Sequence, residues 1–147
     1  MNQQKELQDV LAEIKAMGVT QTQMLQIMDI ASVQSIQHAI NDLKKTAPDD
    51  EFTAIESLFK EKIDDQQVLK QNIDTLFNRT YGNLAQDRKI FLLIKYLKEY
   101  IQLVKQTVEL GKRYSQGDPE VIKMIEDAKK NPLFDELVSK MKNSLPQ

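Results

Sequence analysis

Apolar side chains recur every three or four residues along nearly the whole 147-residue chain. This spacing places them on one face of an α-helix, whereas a β-strand needs strict alternation of apolar and polar residues. Only four glycines and four prolines interrupt the pattern, and no alternating run stands between them. We therefore predict an all-α protein with seven or eight helices and no sheet.

Turn and capping residues divide this pattern into segments. Gly18 follows the first apolar stripe, where a left-handed residue would end a helix. Thr20 and Gln23 have the spacing of a capping box, and Asp118 followed by Pro119 is typical of a helix start. The predicted helices cover about 3–17, 20–29, 32–45, 50–62, 65–79, 84–115 and 119–129, and an eighth begins at Pro132 with Asn131 as its cap.

The sequence lacks the residues that most catalytic and metal sites need. It has no cysteine and one histidine, and it contains neither a glycine-rich phosphate loop nor a metal-binding histidine motif. We expect no enzymatic activity, no cofactor and no metal. The N-terminus has no apolar signal core, and no apolar run is long enough to cross a bilayer, so we expect a cytoplasmic protein that binds no membrane.

The charges are unevenly distributed although the net charge is only −2. Residues 49–82 carry eight acidic and four basic side chains, whereas residues 83–147 carry nine acidic and twelve basic ones. The acidic middle would repel phosphate. Any contact with nucleic acid is therefore expected to avoid it.

The segment 18–45 has the pattern of two short helices with a tight connection at residues 30–31. This arrangement describes a helix-turn-helix, whose second helix enters the major groove of DNA. Ser32 would cap that second helix, and Val33 and Ile36 would face inward. Glutamine and asparagine on its outer face are suited to pairing with adenine. The alternative is structural packing of three helices without DNA binding.

The string from Gly18 to Ile30, in which Gly-Val-Thr-Gln opens the helix, resembles the first half of the lambda-repressor-like helix-turn-helix family. Residues 32–41 are similar to that family's recognition helix, although the segment from Asp29 to Ile36 is one residue longer than the family's turn. The resemblance covers residues 7–62 and implies binding to double-stranded DNA. It implies DNA contacts by Gln21, Ser32, Gln34, Ser35, Gln37, His38, Asn41, Lys44 and Lys45. For His38 the alternative is an ordinary surface position.

The longest regular segment, 84–115, carries a seam of apolar residues that alternate by four and three, as in a coiled coil. Further apolar residues widen this face to roughly 160°. We predict that the seam binds a second copy of the chain or a protein partner. The alternative is a central helix of a monomeric bundle. The seam consists of Ile90, Ile94, Leu97, Ile101, Val104 and Val108.

These patterns predict two regions, which could also form one continuous domain. Residues 1–62 would hold the helix-turn-helix-like module of three to four helices, and residues 63–147 would form a helical region for dimerisation or partner binding. The resulting hypothesis is a small, non-enzymatic DNA-binding transcriptional regulator. The alternative is a helical adaptor or inhibitor that binds another protein and no DNA.

Overall fold

The computed structural model describes residues 2–130 and confirms the all-α prediction, since no strand occurs among them. One 3₁₀ turn, Ser57–Phe59, follows the third helix, and another, Gly82–Leu84, precedes the fifth. The predicted helix that begins at Pro132 lies outside the described residues. The α-helices are α1 (Gln3–Ala16), α2 (Gln21–Thr46), α3 (Asp49–Glu56), α4 (Gln66–Tyr81), α5 (Ala85–Ser115) and α6 (Pro119–Lys129).

Three of the predicted helix boundaries, at Thr20, Asp118 and Gly18, are confirmed. The backbone N–H of Thr20 donates to Gln23 Oε1 at 2.8 Å, and the backbone N–H of Gln23 donates to Thr20 Oγ1 at 3.1 Å, so the capping box is closed in both directions. Asp118 accepts from the backbone N–H of Glu120 at 3.0 Å and begins α6. Gly18 ends the preceding segment with a φ of 86°, which favours glycine.

The predicted turn at residues 30–31 is wrong, because α2 runs without a break through 26 residues. The segment from Asp29 to Ser32 contains no glycine or proline, and Ala31 has the highest helix propensity of any residue. Serine caps a helix only where the backbone has already left helical geometry. Ser32 therefore lies inside the helix, and the two short helices of a helix-turn-helix are a single long one.

The described residues divide into two compact units. Residues 2–9 and 29–96 form the first unit, and residues 10–28 and 97–130 form the second unit. Residue 62, where we predicted a functional boundary, lies within the first unit.

The first unit has a core built by four helices. Buried side chains from α2, α3, α4 and α5 form one cluster, with Phe77 as its largest fully buried member. Tyr81 packs against this cluster, with its ring 5.5 Å from that of Phe77. The cluster consists of Ala39, Ile40, Leu43, Ile55, Leu76, Phe77, Ala85 and Leu92.

The buried residues of the second unit are aliphatic. They come from α1, α2, α5 and α6, and their burial explains why the apolar stripes of these helices have a helical period. They are Val10, Ile14, Ile27, Leu97, Ile101, Val104 and Val121. Within residues 2–130, no helix is long and apolar enough to span a bilayer.

Candidate functional site on α2 of the first unit

Most of the residues predicted to contact DNA lie on the exposed side of α2 in the first unit. Ser32, Gln34, Gln37, Asn41, Lys44 and Lys45 are exposed. Gln21 is also exposed but belongs to the second unit. Gln34, Gln37, Asn41, Lys44 and Lys45 therefore share a helix face, whereas Ser32 lies on another side of α2. No turn presents the shared face as a separate recognition helix.

Ser35 was predicted to point outward and is instead buried, with 6% of its surface exposed. Its hydroxyl donates to the backbone carbonyl of Ala31 at 2.8 Å, one helical turn earlier. Ala31 and Ala39, four residues to either side, are buried as well. Residues four apart share a helix face, so this row of small residues marks the inward side of α2 and Ser35 cannot reach DNA.

His38 is half-buried and has two side-chain partners within the first unit. Its Nδ1 lies 2.8 Å from the hydroxyl of Tyr96, and its Nε2 lies 3.4 Å from Asp42 Oδ2. The hydroxyl of Tyr81 donates to the same Asp42 oxygen at 2.6 Å. His38 therefore belongs to a network that links α2 to α4 and α5.

The network is suited to holding helices together and to hydrogen bonding. Burial, and then the hydrogen bond to Asp42, raise the pKa of the Tyr81 hydroxyl well above its ordinary value of 10.0, so Tyr81 remains a donor. Beside the network lies a polar depression of about 320 Å³. It is lined by Gln34, Gln37, His38, Asn41, Asp42, Lys45 and Tyr96.

An apolar groove of about 470 Å³ lies on the other side of Gln37, between α2 and the segment 56–69. Val33, which the sequence led us to place inward, opens onto this groove and is 65% exposed. Residues two apart lie on opposite sides of a helix, so the buried row through Ala31 and Ser35 turns Val33 outward. The apolar lining consists of Val33, Ile36, Ile40, Phe59, Ile63 and Leu69, and the charged lining of Glu56, Lys60 and Glu61.

A second depression adjoins this groove at the non-helical connection 60–65. That depression measures about 530 Å³, and both share Lys60, Glu61 and Ile63. Leu58 and Val68 line it and are 36% and 43% exposed. Exposed apolar side chains of the first unit thus line two adjoining depressions that share this connection.

Most residues of the predicted dimer seam on α5 are buried within the chain. Ile94, Leu97, Ile101 and Val104 are buried, and Ile90 is half-buried. Val108 is 50% exposed. The four buried positions cannot be the contact surface for a second copy, because their faces already lie against this chain. The alternative of a helix packed within one chain fits their burial.

No group of His, Asp and Glu side chains that could hold a metal occurs among residues 2–130. Comparison of the chain with protein-family models, with curated proteins and with solved structures gives no match.

Proposed function

We propose that this chain is a non-enzymatic protein-binding module, and that the groove between α2 and the segment 56–69 receives an apolar segment of a partner. The observation that carries this proposal is the exposed Val33 at the mouth of a groove lined by apolar side chains. The volume of about 470 Å³ lies within the range of about 300–1,000 Å³ that is typical of ligand sites.

The energetics of apolar surface support the same proposal. Single exposed apolar residues are common on proteins, but apolar side chains gathered around a depression mark interaction sites. Complete burial of one aliphatic side chain contributes about 1.5–3 kcal/mol. A partner that covers Val33 and fills the space beside Phe59 and Ile63 would gain this stabilisation at several positions.

DNA binding through the polar face of α2 is the competing hypothesis. Gln34, Gln37 and Asn41 are exposed and have the chemistry for reading adenine. However, Lys45 lies 3.7 Å from the Asp42 carboxylate, which weakens its attraction for phosphate. We therefore favour a protein partner. A cytoplasmic location remains part of the proposal, since a chain without cysteine suits a reducing compartment.

The test is selection from a phage-displayed peptide library on the wild-type chain, followed by fluorescence anisotropy of the selected peptides. We expect Val33→Glu to weaken their binding roughly tenfold or more, because a charge would enter the apolar groove. The matched control is Val108→Glu, the same change at a half-exposed valine of the second unit. Circular dichroism verifies that both variants remain folded.

Peptides that bind the wild type and Val33→Glu equally well would contradict the groove as the binding site. A mobility-shift assay with pooled duplexes tests the competing hypothesis. If a duplex is selected and Gln34→Ala or Gln37→Ala weakens its binding while Val33→Glu does not, DNA binding replaces the protein-binding proposal.

A further inference from the structure

Building on the proposed function, we infer that the groove takes a basic amphipathic helix. A partner can contact side chains in the groove but cannot pair with a β-strand edge, since residues 2–130 contain no strand. A partner that adds a strand would need unpaired backbone groups along a sheet edge. An amphipathic helix needs only an apolar groove for its apolar face, with side chains one helical turn apart as anchors.

The charge of the side chains at the groove indicates which charge the partner helix should carry. The groove and the neighbouring depression together are lined by four acidic side chains, Glu56, Glu61, Asp64 and Asp65, and by two lysines, Lys60 and Lys62. Both lysines lie beside carboxylates, since Lys60 is 4.0 Å from Glu56 and Lys62 is 3.8 Å from Asp64. Glu61 lines both the groove and the neighbouring depression, and no ion pair is formed by it among the described residues. This negative margin complements lysine or arginine.

One amphipathic helix can contact both the apolar lining of the groove and the acidic side chains beside it. An amphipathic helix that lays its apolar residues on Val33, Phe59 and Leu69 brings the flanks of its apolar face to the edges of the groove. Glu61, on the connection between α3 and α4, lines the groove. Basic residues that flank the apolar stripe would therefore meet acidic side chains, and acidic residues there would be repelled.

The experiment uses two synthetic helical peptides of about 15 residues with leucine at i, i+3, i+4 and i+7, flanked by lysine in one and by glutamate in the other. Fluorescence anisotropy measures their binding to the full chain. We expect the lysine peptide to bind roughly tenfold more tightly than the glutamate peptide, and added salt to reduce this difference.

Two charge reversals locate the effect. We expect Glu61→Lys to weaken binding of the lysine peptide about three- to tenfold, because the substitution replaces attraction by repulsion at the groove. Glu126→Lys, the same change on α6 of the second unit, should leave the affinity unchanged. Val33→Glu should weaken both peptides.

The outcomes separate this inference from the function on which it rests. Equal binding of the two peptides, with both weakened by Val33→Glu, would overturn the basic partner and leave the groove as a protein-binding site. Binding of the lysine peptide that Val33→Glu does not weaken would place it elsewhere on the acidic surface and overturn the inference. If neither peptide binds, the inference is overturned, and the proposed function is decided by the peptides selected on the wild type and their binding to Val33→Glu.

Discussion

Two polar contacts of the first unit differ in their setting from two polar contacts of the second unit. In the first unit, Tyr81 of α4 donates to Asp42 of α2, and Arg79 of α4 makes a bidentate contact with Glu51 of α3. In the second unit, Arg113 and Asp118 bond across the short turn before α6. Its ion pair between Lys105 and Glu13 joins α5 to α1 on the surface, at 3.4 Å.

This difference concerns specificity of packing. Burial of aliphatic side chains stabilises helix packing in more than one relative alignment of the helices. A hydrogen bond between two helices forms only in a narrow range of distances and angles. The first unit, which carries the groove, therefore has its helix positions fixed by polar contacts in addition to its core. A groove of defined shape benefits from such fixed walls.

The largest expected effect follows from the aliphatic core of the second unit. Ile101→Asp would place a charge at a position that is 3% exposed, and we expect loss of the folded unit, because an unpaired buried charge costs more than about 3 kcal/mol. Circular dichroism and sedimentation measure the result. Val108→Asp, at a half-exposed position, is the control. A folded monomer of Ile101→Asp, obtained from a wild-type dimer, would contradict this expectation and restore the seam as a dimer interface.

The next effect concerns the core of the first unit. Phe77→Ala should lower the free energy of unfolding by about 3–5 kcal/mol, because Phe77 is the largest fully buried member of the four-helix cluster. Hydrogen exchange read by mass spectrometry should show faster exchange in α4 than in α6, relative to the wild type. Equal acceleration in both helices would show that the two units unfold together.

A smaller effect is expected from the polar network of the first unit. Tyr81→Phe removes the hydrogen bond to Asp42 and should lower the free energy of unfolding by about 1–2 kcal/mol near neutral pH. The folded-state pKa of Tyr81 is raised above 10.0, so this contribution is complete below about pH 10 and is lost as the pH rises toward the folded-state pKa. Thermal unfolding of both proteins between about pH 8 and pH 11.5 measures it.

The wild type and Tyr81→Phe should therefore converge in stability as the solution becomes alkaline. Burial also raises the pKa of Tyr100, but Tyr100 is present in both proteins and its contribution cancels in the difference. A difference in stability that stays constant up to the highest pH would show that the Tyr81 hydroxyl is not held in its protonated form.

The smallest effect is expected at the surface of the second unit. Lys105→Ala should change the free energy of unfolding by less than about 0.5 kcal/mol, because both side chains of its ion pair with Glu13 are more than half exposed. Denaturant unfolding at low and high salt measures it. A loss that exceeds that of Tyr81→Phe would contradict the contrast between the two units.

Helix positions could be predicted from the sequence where a capping residue has a fixed partner. Thr20 with Gln23, and Asp118 with Pro119, mark helix starts that the structure confirms, since their spacing satisfies particular backbone groups. The predicted turn at residues 30–31 is wrong because it relied on Ser32 as a helix cap. Serine can cap a helix where one begins, but it does not by itself start a new helix. No glycine or proline supported that turn, and this was the available signal against it.

The groove was harder to predict, because it depends on which side of α2 is buried. Val33 and Ile36 fit the inward stripe of a short helix that begins at Ser32, but the long helix buries the row of Ala31, Ser35 and Ala39 instead. Small residues give little hydropathy signal even where helices pack closely. Asp65, which accepts from the backbone N–H of Gln67 and caps α4, is a local sign of the break between α3 and α4 beside the groove.

The connection 60–65 also allows occupancy of the groove to be measured by limited proteolysis. Glu61 is exposed and lies in non-helical backbone, which is the arrangement that a glutamate-specific protease requires for cleavage. Glu61 lines the groove itself, so a bound segment would shield the peptide bond that follows it. The rate of cleavage after Glu61 therefore reports occupancy of the groove in the unlabelled protein, and a basic partner without glutamate is not digested.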